Sequence, residues 1–129
     1  MVDWAERDPA MRENRMMPIG QNTFYLNIAA KPDGALTGEV YCAALDRSAP
    51  FTSVSRMIVL VEEWLDTVEE QRPPGKPPGT AVEADFELEV ILRQNYSWQG
   101  RLRSTKKNKE TMFRSVLELL IQLETILAQ

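Results

Sequence analysis

Apolar and polar residues alternate along two short stretches of the chain, and downstream of each the apolar positions recur at helical spacing. Phe24, Leu26 and Ile28 interleave with Tyr25, Asn27 and Ala29, and Phe86, Leu88 and Val90 interleave with Glu87, Glu89 and Ile91. A period of two is that of a strand with one face buried. Val54, Met57, Ile58, Val61, Leu65 and Val68 then recur three and four residues apart, as do Val116, Leu119, Leu120, Leu123 and Leu127. That spacing lines one side of a helix, so two amphipathic helices are predicted.

Between strand and helix the chain must turn back. Lys31-Pro32-Asp33-Gly34 presets one φ with proline and offers glycine where φ is positive, so a tight hairpin is predicted there; Gln94-Asn95-Tyr96-Ser97 is its weaker counterpart. Leu36 to Leu45 and Trp98 to Thr105 read as the return strands, with Val40 and Leu102 facing inward and Gly38 and Gly100 letting a helix approach the sheet. Asp46 or Ser48, and Asn108 or Thr111, are the candidate N-caps, and Pro50 suits a first helical turn.

The two halves align without a gap at an offset of 62, residues 24–65 on 86–127. Phe24, Leu26, Gly38, Phe51, Ser53, Val54, Glu62 and Leu65 match Phe86, Leu88, Gly100, Phe113, Ser115, Val116, Glu124 and Leu127. The reading is an internal duplication. The predicted fold is a single α+β domain, ββα-ββα, with a four-stranded antiparallel sheet, two helices on one face and approximate two-fold symmetry. Its parts are an N-terminal extension over 1–20, a first unit over 21–70, a Pro-rich linker over 71–80 and a second unit over 81–129. Asp8-Pro9 can open a short helix running to Met17 in the extension.

Composition narrows the chemistry. The 129 residues include no histidine and one cysteine, Cys42. Without imidazole, the commonest general base, the Ser-His and Cys-His nucleophile pairs and most metal sites drop out. One cysteine forms no internal disulfide and no cysteine cluster. No Gly-rich phosphate loop, nucleophile elbow or metal motif is present. The expectation is no enzyme, no cofactor and no metal. A net charge of −4 opposes whole-surface attraction to nucleic acid or an anionic membrane. No apolar run is long enough for a membrane span and Met1 to Arg15 lacks a secretory signal, so a cytoplasmic setting is expected.

Two surfaces are candidates for function. Away from the predicted helices the sheet presents Tyr25, Tyr41, Ile91, Arg93, Arg101 and Arg103 among acidic residues, a mixture of aromatics and arginine that suits protein contact. Arg101, Arg103, Lys106, Lys107 and Lys109 form a basic run that could hold an anion or nucleic acid near the N-terminus of the second helix. The acidic run Glu62, Glu63, Asp66, Glu69 and Glu70 reads as a solvated helix face. In the second helix Met112, Leu117, Ile121 and Ile126 lie beside the main apolar seam. Either that helix is central to the core or it pairs with another copy of the chain.

Arg93-Gln94-Asn95-Tyr96-Ser97-Trp98-Gln99-Gly100 followed by Phe113-Arg114-Ser115-Val116-Leu117-Glu118-Leu119 resembles a C-terminal pattern of small uncharacterised bacterial proteins. Ser104 and Thr105 stand where that family often has an aromatic, and the resemblance implies no activity. The functional expectation is a non-catalytic protein-interaction module with a protein partner, and with a homodimer as one reading of the second helix. The alternative is a nucleic-acid-associated regulator, or an inhibitor of a nucleic-acid enzyme, using the basic run.

Overall fold

In the computed structural model the described residues are 15–16, 22–71, 83–94 and 97–128. All but the first residue of the linker expected over 71–80, together with 81–82, 95–96 and nearly all of the N-terminal extension, lie outside them. The expected helix from Asp8 to Met17 therefore falls largely outside too, and its described part, Arg15–Met16, is a strand (β1).

Strands β2 (Thr23–Ala30) and β3 (Leu36–Cys42) form the first hairpin. Its turn is closed by Gly34 N donating to Lys31 O, with Gly34 at φ 87°, a conformation glycine adopts without a Cβ penalty. The chain then makes a strand that the sequence reading lacked, β4 (Arg47–Phe51), before helix α1 (Val54–Gln71). The second half runs β5 (Phe86–Gln94), β6 (Ser97–Ser104), β7 (Lys109–Phe113) and α2 (Val116–Leu127). The sheet is antiparallel in the order β4-β3-β2-β5-β6-β7, and β1 pairs with β5 beyond the end of β2.

This order overturns the four-stranded ββα-ββα arrangement, because three strands, not two, lead into each helix, and the short β1 stands ahead of the first three. The residues offered as helix caps are the cause. Asp46 (φ 51°) and Asn108 (φ 50°) sit in left-handed backbone at the ends of the β3-β4 and β6-β7 turns, a conformation that short Asx side chains tolerate. Ser48 and Thr111 lie within β4 and β7. The working caps come later: Ser53 Oγ accepts from Arg56 N and Ser115 Oγ from Glu118 N.

Gly38 and Gly100 also act differently from the expectation. A Cβ at Gly38 would stand 1.8 Å from Asn27 O, and one at Gly100 1.9 Å from Glu89 O, so each glycine makes room for the neighbouring strand and not for a helix. Phe51 and Phe113 lie opposite the two glycines, on β4 and β7.

One apolar core holds the molecule together. Phe24, Leu26, Val40, Leu88, Trp98 and Leu102 point from the sheet into it, Met57, Val61 and Leu65 from α1, and Leu119 and Leu123 from α2. Each of these side chains removes enough apolar area from water to stabilise the fold by about 1.5–3 kcal/mol before entropy is counted. The helices share this burial unequally. In α1, Leu60, Glu62 and Trp64 are buried beside the expected stripe, whereas in α2 only Leu119, Leu123 and Ile126 are buried. Leu120 is half-buried, so α2 is not the central helix.

The outermost strands are finished differently. On β4, Pro50 lies opposite Glu39 and has no N–H to offer. On β7, the Met112 carbonyl accepts from Gln122 Nε2 of α2 at 2.8 Å, while Thr111 Oγ1 donates to Gln122 Oε1.

Candidate protein-interaction face

The face of the sheet away from the helices is built by strand register. One row of directly opposed residues runs Ser48, Tyr41, Tyr25, Glu87, Arg103, Glu110 from β4 to β7. The next row runs Thr23, Glu89, Arg101, Met112. Opposed side chains on one face are close enough to pair, and here they do.

Tyr25 and Tyr41 form a tilted ring pair with centroids 6.3 Å apart, and the Tyr41 hydroxyl donates to Asp46 Oδ1 at 2.7 Å. Arg101 bridges Glu89 (2.6 Å) and Glu110 (3.0 Å), and Arg103 pairs with Glu87 at 2.7 Å. The Arg101 guanidinium is held above its ordinary pKa by the hydrogen bond and charge of Glu89, which outweigh the opposing effect of burial, with Glu110 adding. These five charged residues line a shallow depression of about 100 Å³. Met112 is 60 % exposed beside them.

Four of the six residues expected on this face, Tyr25, Tyr41, Arg101 and Arg103, are brought together by the register; Ile91 and Arg93 are not. The β5-β6 pairing shifts between Val90 and Leu92, which leaves Ile91 as the extra, half-buried residue of a bulge. A one-residue insertion reverses the alternation beyond it, so Arg93 points to the helix side. There its guanidinium bonds Glu62 Oε1 at 2.7 Å, Asp66 Oδ1 and Glu69 Oε2 at 3.5 Å. Trp98, opposite Arg93, donates its indole N–H to Glu62 Oε2 at 2.6 Å. Burial opposes the Arg93 charge, but the hydrogen bond to Asp66 and the fields of Glu62 and Glu69 outweigh it and hold the pKa up. The expectation that the acidic run of α1 is a solvated face therefore fails at Glu62, which is 4 % exposed.

The basic run does not gather at the N-terminus of α2. Lys107 Nζ donates to the Ile126 carbonyl at 2.6 Å, at the C-terminal end of that helix, where a cation complements the helix dipole. Lys106 pairs with Asp85 at 3.1 Å, and Lys109 begins β7. The turn carrying these lysines is separated from Ser115 by the whole of β7, so the run and the helix N-terminus face different ends of the sheet.

Burial pushes the Cys42 thiol above its ordinary pKa, which disfavours the nucleophilic thiolate. Among the described residues no group of three or more acidic or cysteine side chains is placed to hold a metal ion. Among them, too, no helix is long and apolar enough to cross a membrane. Leu92, moved outward by the bulge, was missed by strict alternation. No sequence signal marked it, because alternation puts Leu92 on the apolar face with Phe86, Leu88 and Val90 and Arg93 on the polar one. A scan against protein-family models, a search of curated proteins and a search of solved structures each found no match.

Proposed function

We propose that this chain is a non-catalytic protein-interaction module that docks a protein partner on the outer face of its sheet. The observation that carries the reading is the register row placing the Tyr25-Tyr41 ring pair beside Arg101 and Arg103, each arginine already held by carboxylates. Tyrosine and arginine are enriched at the energetic centres of interfaces. Arginines fixed before binding lose less side-chain freedom on docking. The face is broad and shallow, a shape that suits a protein surface better than a small ligand, which favours deep concave sites. The nucleic-acid alternative draws no support from the basic run, since Arg101, Arg103 and Lys106 each sit against a carboxylate.

The test compares two variants with the parent. Tyr25→Ala with Tyr41→Ala should weaken binding of a protein captured from the native host by roughly tenfold or more, since aromatic anchors dominate interface energy. Lys106, Lys107 and Lys109 changed together to glutamine should leave it unchanged. Both variants are first checked by thermal melts. Nucleic-acid binding that persists at physiological salt, is lost with the lysines and is indifferent to the tyrosines would overturn the reading.

A further inference from the structure

Charge is spread unevenly over the outer face of the sheet. On β2, β3 and β4 the outward positions, those occupied by Tyr25 and Tyr41 and alternating with the buried residues, hold no lysine or arginine. They do hold Glu39, which is exposed and lies two residues before Tyr41 on β3. Asp46 stands at the other end of Tyr41 and accepts from its hydroxyl at 2.7 Å. Glu87 lies directly opposite Tyr25. The two rings, 6.3 Å apart, therefore sit among carboxylates. Glu87 shares its charge with Arg103, whereas Glu39 and Asp46 form no salt bridge among the described residues. The arginines of this face lie farther on, on β6, beyond the carboxylates of β5 to which they are bonded.

We propose that the Tyr25-Tyr41 pair and the carboxylates around it seat a lysine or arginine side chain of the protein partner, which meets the sheet with a basic segment; this rests on the docking reading above. The face of an aromatic ring carries the negative part of its quadrupole and attracts a cation, and a carboxylate beside the ring adds a charge-assisted hydrogen bond. An acidic or phosphorylated segment would set like charge against Glu39 and Asp46, and would find the guanidiniums of Arg101 and Arg103 already bonded. The net charge of −4 draws a basic partner from a distance in the same sense. The acidic run of α1 offers only half of this chemistry. Glu63, Asp66 and Glu70 are exposed there, but the aromatic among them, Trp64, is 8 % exposed and belongs to the core.

The probes are glycine-serine peptides with blocked ends that carry lysine, arginine or glutamate at regular intervals, titrated into the full isotope-labelled chain. Backbone amide shifts read where each one binds. The lysine and arginine peptides should move the amides around Tyr25, Tyr41 and Glu39 with Kd on the order of 1 mM, and should weaken roughly fivefold between about 20 and 200 mM salt. The glutamate peptide should move nothing there. Y25L/Y41L, which keeps the patch apolar but removes the ring faces, should weaken the cationic peptides roughly fivefold. E39Q, at an exposed position where the fold is not at risk, should weaken them roughly twofold. Cationic peptides that settle beside Glu63 and Asp66 on α1, binding indifferent to both variants, or a preference for the glutamate peptide overturns the proposal. The docking reading fails separately. Capture of a host protein that survives Tyr25→Ala with Tyr41→Ala sinks that reading. Capture lost with the tyrosines, yet equally tight in E39Q and at high salt, keeps the docking face and overturns only the basic partner.

Discussion

Arg93 owes its place to one inserted residue. The bulge at Ile91 turns its guanidinium from the solvent side of the sheet to the helix side, where its side chain is 9 % exposed and meets that of Glu62 at 5 %. Removing two charges from water costs several kcal/mol each, and what offsets that cost here is completeness. Three carboxylates serve the guanidinium, the indole of Trp98 takes the second oxygen of Glu62, and no buried side-chain N or O among the described residues lacks a partner. Arg93→Met should therefore cost about 3–5 kcal/mol in a urea melt, because it strands Glu62 in the core. A double variant, Arg93→Met with Glu62→Leu, should recover part of that loss. A single-variant loss under about 1 kcal/mol would mean that water reaches the pair.

At the level of elements, the halves were legible where one face is buried along the whole stretch. Phe24-Leu26-Ile28 and Phe86-Leu88-Val90 fixed β2 and β5, and with them the positions of Tyr25, Tyr41, Arg101 and Arg103. The edge strands were not legible. Arg47–Phe51 and Lys109–Phe113 each bury one residue, Phe51 or Phe113, so no alternation marks them, and Asp46, Pro50 and Asn108 fit a helix start as well as a hairpin. The paired Phe-x-Ser at 51–53 and 113–115 was the available clue, since it places the last strand residue and the cap together. The bulge left no local mark at all, which is why Arg93 was put on the wrong face. Gly100 tests the sheet at this scale. Glycine to alanine in a strand usually helps by restricting the unfolded chain, yet here the new Cβ meets a backbone carbonyl at 1.9 Å. Gly100→Ala should destabilise by about 2–3 kcal/mol in denaturant melts, and a stabilising outcome would show that β5 and β6 can part without cost.

Seen whole, the molecule has a helical side and a bare side. The remaining surfaces are the two rims of the sheet. An outer strand with its N–H and C=O groups open is a template on which another strand can add, and repetition of that step gives a fibre. Pro50 withholds the donor on one rim, and Gln122 occupies the Met112 acceptor on the other. Pro50→Val with Gln122→Leu should leave the melting curve close to the parent's but make concentrated solutions turn turbid and bind an amyloid dye, and solutions that stay clear would show that neither residue guards its rim. A proline and a glutamine amide would then be what separates a sheet that ends from one that keeps growing.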